Sequence, residues 1–473
     1  KRKERLFVIV PKMGYEFSTF NYTNFETFDT FGFTELKLFA GKIKGIFEFR
    51  GVKNIKTIHA TTLKTPSALK QANIEDKNSF SIRDYNLLRT SVIYGANASG
   101  KTNILKAMSF MRTLVLNKYK IIQSTDILPY SPFRLNTSTK ESSSSFEMVF
   151  FIDEKKYRYG FELDSTTIYS EWLFEDEKGK EAKLFYRDID EEDYINNQKF
   201  KEGYGFFDKS NKKINIAQNQ LFLWVCDRLA NSTISKSILK WFSNFNMLDG
   251  TDSNGYMNFT LRKMEDEEFK KEIVNLVKTA DIGIENIDLQ EDDIHFDDVS
   301  KVPLPDFIKE EILKNGGVKS ISINTSHKVF DDKNNFITHE TFELEKDESF
   351  GTKKFFKISA PVIDTLKNGK ILLIDELDSS LHPILTKHLI KLFNDEKINK
   401  NNAQLIFTTH DTNLLKPTIF KREQIWFTQK DKYGSTNLYS MLEIKGVRAS
   451  DDFEKHYIQG KYGAVPYIGE FEF

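Results

Sequence analysis

Eight consecutive residues, Gly95-Ala96-Asn97-Ala98-Ser99-Gly100-Lys101-Thr102, constrain the fold of this chain more than any other segment. They match the pattern G-x-x-x-x-G-K-[ST] at every fixed position. The apolar run 91–94 predicts a strand before them, and residues 103–108 predict a helix after them. Glycine lets the backbone curl, so that its N–H groups and the helix N-terminus surround phosphate oxygens. The sequence thus predicts a phosphate loop (residues 95–102), with nucleotide contacts from Gly95, Asn97, Ala98, Ser99, Gly100, Lys101, Thr102 and Asn103.

Two side chains of the phosphate loop carry specific chemistry. Lys101 is expected to reach the β- and γ-phosphates of a nucleoside triphosphate, and the Thr102 hydroxyl is expected to hold Mg²⁺. The alternative is a chance glycine-rich turn, but that alternative leaves the flanking strand and helix patterns unexplained. Both ATP and GTP stay open at this point, because no base-reading residue can be identified.

A second segment of the predicted site lies far downstream. Residues 370–374 are an apolar run typical of a buried parallel strand, and the run ends in Asp375 and Glu376. Asp375 is expected to hold the Mg²⁺ shell. Glu376 points to the opposite side of the strand and is expected to polarise an attacking water as general base. An ordinary acidic strand end is the alternative, and the upstream phosphate loop argues against it.

A histidine follows the next apolar strand. Residues 404–408 are apolar or β-forming, and Thr409 and His410 come directly after them. The His410 imidazole is expected to sense the γ-phosphate by donating a hydrogen bond to its developing charge. A lone histidine is more often structural, as we expect for His382, but the place of His410 after the carboxylate strand favours a functional role.

Composition excludes several classes of protein. The charges of the 68 basic and 69 acidic residues nearly cancel, so no net positive charge favours binding of nucleic acid or of an anionic membrane. The single cysteine, Cys226, excludes an internal disulfide framework and a cysteine-rich zinc site, and it suits a reducing cytoplasm. No segment approaches the roughly 20 apolar residues needed to cross a bilayer. The apolar run 6–10 is too short for a signal peptide.

The pattern along the chain predicts three parts. Residues 1–185 hold aromatic–polar alternation between 15 and 60, the phosphate loop, and a hairpin formed by 146–152 and 157–163. Residues 186–330 show helical spacing, as in 234–242 and 264–277, and form a predicted helical insert. Residues 331–473 carry the carboxylate strand and His410.

Together these residues resemble the heads of ATP-binding-cassette (ABC) type, a branch of the P-loop ATPases. The resemblance implies an α/β fold, with a mixed sheet around a parallel core, an antiparallel β subdomain and a helical insert. It implies ATP as the nucleotide and hydrolysis as the activity. In that family an Asp matching Asp378 communicates across a dimer. A signature segment opens a helix shortly before the carboxylate strand, and here it matches Ser349, Gly351, Thr352 and Lys353.

The signature implies assembly. A serine hydroxyl, a glycine N–H and a helix N-terminus form a second anion cradle. In the family this cradle cannot reach the phosphate loop of its own subunit, so two heads close head to tail around two nucleotides. Phe350 stands where a small residue often sits in the signature. For the glutamine loop of the family, Gln123, Gln218 and Gln220 are the candidates.

Spacing narrows the type of head. Roughly 250 residues separate the phosphate loop from the signature, which is far more than in transporter heads, and there is no membrane span. Sustained heptads, which the coiled coils of chromosome-organising SMC proteins need, are absent. The chain looks like the bacterial defence ATPases of the abortive-infection and overcoming-lysogenisation type, in particular the RloA or AbiLii-like group. Further similar segments are 132–133, 157–162, 326–328, 408–411 and 460–466.

The resemblance to defence ATPases implies partners. About sixty residues follow His410, which is too few for the Toprim nuclease domain that some relatives carry. It therefore implies an ATPase sensor or regulator that forms a homodimer, or a higher multiple of dimers, and controls a separate effector protein such as a Toprim-type nuclease. A phage-derived trigger is part of this picture. A DNA-binding repair or recombination ATPase of the SMC-like class is the alternative, and a transporter subunit is a third and weaker one.

Overall fold

The computed structural model describes residues 45–50, 57–59, 78–83, 85–229, 231–249, 254–280, 283–294 and 318–466. These residues fall into two compact units. Unit 1 takes in the described residues within 1–250, 365–378 and 386–473, and unit 2 takes in those within 251–364 and 379–385. Most of the aromatic–polar alternation between residues 15 and 60 lies outside the described residues, as does the apolar run 6–10.

An antiparallel sheet makes up one part of unit 1. Its strands are β1 Gly45–Arg50, β2 Thr57–His59, β6 Ser144–Ile152, β7 Lys155–Leu163, β8 Ile168–Asp176, β9 Glu181–Asp188 and β10 Tyr194–Ile195. They are arranged in the order β10-β9-β8-β7-β6-β1-β2. The hairpin predicted from the sequence is β6 and β7, joined through Asp153 and Glu154. Asp153 takes a φ of 53°, a left-handed conformation that aspartate tolerates in turns.

A second sheet of unit 1 carries the predicted site. Its strands are β5 Thr90–Gly95, β13 Phe245–Asp249, β17 Ile371–Asp375, β18 Gln404–Thr408, β19 Ile425–Lys430 and β20 Thr436–Ser440. In the order β13-β17-β18-β5-β19-β20, each strand runs parallel to its neighbour except β20. Every residue of β5, β17 and β18 is buried, which explains their apolar runs. Because the strands are parallel, β17, β18 and β5 end at the same edge of the sheet.

Two short hairpins are also present among the described residues of unit 1. They pair β3 Ser79–Ile82 with β4 Tyr85–Leu88, and β11 Phe207–Asp208 with β12 Lys213–Ile214. The helices of this unit are α1 Lys101–Val115, α2 Phe222–Leu229, α3 Ile234–Ser243, most of α8 Pro383–Asn394, and α9 Phe453–Ile458.

One apolar core joins α1 to both large sheets of unit 1. Phe150 of β6 stacks on Trp241 of α3 with 4.1 Å between ring centroids, and burying one such side chain contributes about 1.5–3 kcal/mol. Trp224 of α2 donates its Nε1 hydrogen to the carbonyl of Val115 at 2.7 Å, which ties α2 to the end of α1. These contacts fix α1, and therefore the phosphate loop at its start, against the sheet that carries the site.

Unit 2 combines helices with a three-stranded antiparallel sheet. Its elements are α4 Asn254–Met264, α5 Glu267–Ala280, β14 Ile284–Ile294, β15 Val318–Phe330, β16 Phe336–Glu343, α6 Leu344–Asp347 and most of α7 Phe350–Asn368. The helical pattern predicted over 264–277 is split, because the Asp266 carboxylate accepts a hydrogen bond from Phe269 N at 2.9 Å and caps a new helix.

The observed elements give an α/β fold with a parallel core, as the sequence predicts. The division at residues 185 and 330 stays a prediction. Within the part of the chain that is described, none of the helices combines the length and apolar character that crossing a membrane requires.

Candidate functional site

The phosphate loop leaves the end of β5 and enters α1 at Lys101. Gly100 has a φ of 108°, and Ala98 has a φ of 60°. A Cβ on Gly100 would lie 2.2 Å from Thr436 Oγ1, and one on Gly95 would lie 2.1 Å from Thr428 Oγ1. Both glycines are therefore required by close packing, and Gly100 also by its backbone conformation.

Two threonines from later strands support this loop. Thr436 Oγ1 donates a hydrogen bond to the Ser99 carbonyl at 2.8 Å, and the Ser99 and Thr428 hydroxyls are 2.6 Å apart. Thr428 Oγ1 also donates to the Tyr94 carbonyl at 3.2 Å. Sequence reasoning missed both threonines, because threonine is common in strands and nothing in the motif points to residues more than 300 positions away.

The side chain of Lys101 lies over the loop. It is only 6% exposed, and its Nζ donates to the carbonyls of Gly95 at 2.9 Å and Ala96 at 3.2 Å. Burial lowers the pKa of Lys101, whereas the negative charges of Glu376 and Asp375 act in the opposite direction. The sheet has therefore brought this lysine within electrostatic range of the carboxylates predicted from the distant segment.

The N-terminus of α1 has the chemistry of an anion site. Among the described residues, no side chain caps the helix at Gly100. Thr102 and Asn103 are half-buried in its first turn, while Asn97 and Ala98 are exposed and Ser99 is buried. Because the first N–H groups of a helix have no partner within it, they are available to an anion. This end of the helix fits phosphate.

The carboxylates sit at the end of β17, and Thr408 at the end of β18 organises them. Asp375 is 4% exposed, and its Oδ1 accepts a hydrogen bond from Thr408 Oγ1 at 2.6 Å. The backbone N–H of Glu376 donates to the same hydroxyl at 2.7 Å. Leu377 N donates to the Thr408 carbonyl at 3.1 Å. Sequence reasoning placed Thr408 at the end of an apolar strand and in the similar segment 408–411, but it missed the role of its hydroxyl in holding the carboxylates.

Glu376 differs in conformation from the prediction. The strand ends at Asp375, and Glu376 has a φ of 48°, so it lies past the strand rather than on its opposite face. A left-handed conformation in a residue other than glycine costs on the order of 1–3 kcal/mol. The hydrogen bond to Thr408 Oγ1 offsets part of that cost.

His410 lies beside Glu376. Its Nε2 is 3.9 Å from Glu376 Oε1, and its side chain is 41% exposed. Its backbone N–H donates to the Asp378 carboxylate, 3.2 Å from Oδ2. The structure thus brings His410, Asp378 and Glu376 into one cluster at the edge of the sheet where β17 and β18 end.

The donors at this edge fit a magnesium–nucleotide complex. Mg²⁺ prefers oxygen ligands and is usually held by one or two carboxylates together with substrate phosphates, which suits Asp375 and the Thr102 hydroxyl. Helix N–H groups and the Lys101 ammonium suit the phosphates.

The predicted signature belongs to unit 2, where it begins α7. Thr352 N donates to Ser349 Oγ at 3.1 Å, and the hydroxyls of Ser349 and Thr352 are 2.8 Å apart. Ser349 therefore caps its own helix. Lys353 Nζ donates to the Glu345 carbonyl at 2.5 Å and lies 5.4 Å from the ring centroid of Phe350, whose exposure is 82%.

The residues around the signature explain its position within unit 2. Glu348 accepts hydrogen bonds from Thr325 Oγ1 at 2.5 Å and from His327 Nε2 at 2.7 Å, both on β15. A Cβ on Gly351 would lie 3.2 Å from the Ser380 carbonyl, so a larger residue there would be tight.

Gln220, one of the three candidates for the glutamine loop, lies beside a cavity of unit 1. Gln220 lines a cavity of about 340 Å³ in unit 1, together with Ile122, Trp224 and Leu229. Its Nε2 donates to the Ile122 carbonyl at 3.1 Å. None of the residues predicted to bind nucleotide lines this cavity.

A known protein family matches the part of the chain that carries this site. The family described as "AAA domain, putative AbiEii toxin, Type IV TA system" matches residues 91–416, more than half of the chain. That range contains the phosphate loop, the two carboxylates and His410. No curated protein matches the sequence.

Some solved structures are similar at low identity. The SMC head domain from Thermotoga maritima is 14% identical, with a TM-score of 0.38 over 84% of this chain and 98% of that chain. The recombination mediator protein RecF, in the RecF-ATPrS structure, is 13% identical, with a TM-score of 0.30 over 85% of this chain and 99% of that chain. A likeness this distant carries no argument about activity.

Proposed function

The chain belongs to the family described as "AAA domain, putative AbiEii toxin, Type IV TA system", and we propose that it is an ATP-hydrolysing switch of ABC type. One observation carries the proposal: the ends of β5, β17 and β18 bring Lys101, the carboxylates and His410 to one edge of one sheet. A loop of this pattern beside such carboxylates is the arrangement that phosphoryl-transfer chemistry needs.

Each side chain has a role in this proposal. Lys101 and the N–H groups of the phosphate loop bind the phosphates, and Thr102 and Asp375 hold Mg²⁺. Mg²⁺, when bound, neutralises charge on the phosphate oxygens. Glu376 takes a proton from the attacking water as general base, and His410 donates a hydrogen bond to the γ-phosphate oxygens.

The general-base role can be tested with Glu376→Gln. This change keeps the size of the side chain but removes its charge, so ATP should still bind while phosphate release falls by at least about a hundredfold. Binding is measured by calorimetry and turnover by phosphate release. The matched control is Glu396→Gln, because Glu396 is an exposed glutamate outside the site. Normal hydrolysis by the Glu376 variant would show that another residue is the base.

We extend the proposal to assembly: two chains close head to tail, so that the signature of one subunit completes the phosphate site of the other. Support comes from the match of residues 349–353 to the family signature; Ser349 caps α7 through the Thr352 N–H in this structure, so contact with a phosphate would replace that bond. The Glu376→Gln protein should then form an ATP-dependent dimer, detected by light scattering after size exclusion.

Subunit mixing gives a sharper test of the head-to-tail dimer. Lys101→Ala and Ser349→Arg proteins should each be inactive, since each spoils both sites of its own homodimer. A mixed dimer keeps one intact site, so an equimolar mixture should recover about a quarter of wild-type turnover if subunits exchange freely. A mixture that stays inactive would argue against shared sites.

We further propose that the protein is a cytoplasmic regulator of the RloA or AbiLii-like defence type. It controls a separate effector protein, such as a Toprim-type nuclease. A phage-derived trigger changes the dimer and thereby releases or activates that effector. The description of the matching family names a putative toxin of a type IV toxin–antitoxin system, which supports a role in such a system. Co-expression with the product of the neighbouring gene should give a nucleotide-sensitive complex. Failure to recover any partner, together with DNA affinity that falls steeply with salt, would favour a repair or recombination role instead.

A further inference from the structure

Tyr94 connects the phosphate loop with the segment that follows His410. It is the residue before Gly95, and its side chain is 1% exposed. Its hydroxyl donates a hydrogen bond to the Asp411 carbonyl at 3.0 Å. The backbone also links the two segments, since Thr409 N lies 3.4 Å from the Ile93 carbonyl. A single side chain therefore joins the strand before the loop to the residue after the predicted γ-phosphate sensor.

The ring of Tyr94 is held by residues near the end of the described chain. Its centroid is 5.7 Å from that of Tyr457 on α9, and Tyr457 stacks on Phe427 of β19 at 5.5 Å. Phe427 also contacts the ring of Tyr462 at 5.7 Å. All four rings are at most 7% exposed. Aromatic pairs at these separations add about 0.5–1.5 kcal/mol each beyond the area they bury, so the rings of this aromatic cluster (Tyr94, Phe427, Tyr457 and Tyr462) stabilise one another.

The turn after α9 fastens this cluster to the sheet. Tyr457 donates its hydroxyl to the Ala464 carbonyl at 3.1 Å, and Tyr439 of β20 donates to the Tyr462 carbonyl at 2.7 Å. Gly463 has a φ of 69°, and a Cβ there would lie 2.8 Å from the Tyr439 hydroxyl. The glycine is required, because only its left-handed backbone without a side chain permits these bonds.

The start of α9 contacts the same segment after His410. Glu454 accepts a hydrogen bond from Thr412 Oγ1 at 3.2 Å and pairs with Lys416 at 3.7 Å. Asp411 therefore lies between Tyr94 on one side and a segment tied to α9 on the other. Among the described residues, its Oδ2 is buried and has no hydrogen-bond partner.

We infer that the segment 453–464 is a clamp that positions His410, and that Tyr94 is the positioning residue through which it acts. The inference rests on the proposed function in one respect: the consequence for turnover assumes that His410 contacts the γ-phosphate. The clamp holds the backbone on the carboxyl side of His410, while Asp378 holds the His410 N–H on the other. Loosening either hold moves the imidazole away from its place beside Glu376.

The first test measures the position of the segment without nucleotide. Tyr94→Phe removes only the hydroxyl and leaves the ring in the aromatic cluster. We expect amides within 409–416 to exchange hydrogen roughly fivefold faster in the full-length variant, because one hydrogen bond that holds Asp411 is lost. Tyr169→Phe is the control, since it removes a hydroxyl bonded to Asp164 at 2.8 Å in the antiparallel sheet. Unchanged exchange in 409–416 would overturn the clamp.

The second test asks whether the effect passes through His410. Tyr94→Phe should lower kcat about fivefold to tenfold with little change in KM, because the loss falls on a transition-state contact. In a His410→Ala background the same change should cost nothing further. An equal loss of kcat in both backgrounds would overturn the inference, because Tyr94 would then act independently of His410.

Failure of the proposed function is distinguishable from failure of the clamp. If the wild-type chain neither binds nor hydrolyses ATP, the proposed function fails, and the exchange measurement still decides whether segment 453–464 holds residues 409–416. Tyr457→Phe provides a second variant: it breaks the bond to Ala464 and should speed exchange in 409–416 as well, while exchange in the buried strands β5, β17 and β18 stays unchanged.

Discussion

Replacing Thr408 with valine removes one hydroxyl and nearly preserves shape. That hydroxyl donates to Asp375 Oδ1 at 2.6 Å and accepts from Glu376 N at 2.7 Å, so one substitution deletes both bonds. Asp375 is 4% exposed and would lose a partner in a place that water reaches poorly. Two net hydrogen bonds and an unsatisfied buried carboxylate together predict a free energy of unfolding lower by about 2–4 kcal/mol.

The same substitution should affect turnover more than binding. Glu376 is held in its left-handed conformation partly by Thr408, and a displacement of a reacting group by about 1 Å can cost a hundredfold in rate. We expect a kcat lower by roughly a hundredfold, measured as phosphate release. Stability is measured by urea unfolding, followed through tryptophan fluorescence.

A matched control separates the hydroxyl of Thr408 from valine itself. Thr386 is also fully buried, and its Oγ1 has no hydrogen-bond partner among the described residues. Thr386→Val should therefore leave stability unchanged or raise it slightly, because an unsatisfied hydroxyl is replaced by a methyl group. If the two variants lose equal stability, or if Thr408→Val retains wild-type turnover, the reasoning about the carboxylates is wrong.

Three further predictions concern Gly100, Glu443 and Cys226. Gly100→Ala places a Cβ 2.2 Å from Thr436 Oγ1 at a φ of 108°, so the free energy of unfolding should fall by about 2 kcal/mol or more. ATP should then no longer raise the melting temperature of this variant. A rise in melting temperature with ATP equal to that of the wild type would contradict the packing argument. Burial raises the pKa of Glu443 to about 7 from its ordinary 4.5. The folded protein therefore holds the carboxyl proton of Glu443 more tightly than the unfolded chain does. As pH rises from 4.5 to 7, the free energy of unfolding should fall by up to about 2–3 kcal/mol. Glu443→Gln can still accept from Ser440 N and should flatten that fall in urea titrations across this range, whereas an unaltered pH profile would assign the effect to other groups. Burial also raises the pKa of the Cys226 thiol, so Ellman's reagent at pH 8 should modify it only after unfolding, and rapid modification of the native protein would refute its burial.

The sequence predicts the parts of the site whose chemistry is local. The phosphate loop requires glycines, a lysine and a hydroxyl at fixed spacing, so Lys101 and Thr102 could be identified without coordinates. Asp375 and His410 could be placed because parallel apolar strands end at the same edge of a sheet. The hairpin β6–β7 followed from alternation of polar and apolar residues around Asp153-Glu154.

The parts that the sequence could not predict depend on tertiary contacts. Thr408, Thr428 and Thr436 are ordinary strand residues by propensity, and their roles arise only when strands far apart in the chain become neighbours. The left-handed conformation of Glu376 is likewise held in part by Thr408 and is not a local preference of glutamate. From the sequence, the segment 460–466 indicated only a family resemblance. The structure shows why a glycine is needed at position 463: a side chain there would collide with the Tyr439 hydroxyl.

The central claim is that the phosphate loop and the carboxylate strand bind one magnesium–nucleotide complex together. Calorimetric titration of ATP into the wild-type, Lys101→Ala and Asp375→Asn proteins, with and without Mg²⁺, tests it most directly. We expect wild-type binding to strengthen with Mg²⁺, Lys101→Ala to abolish binding, and Asp375→Asn to retain binding while losing its dependence on Mg²⁺. Equal affinity in all three proteins, with or without Mg²⁺, would contradict the account.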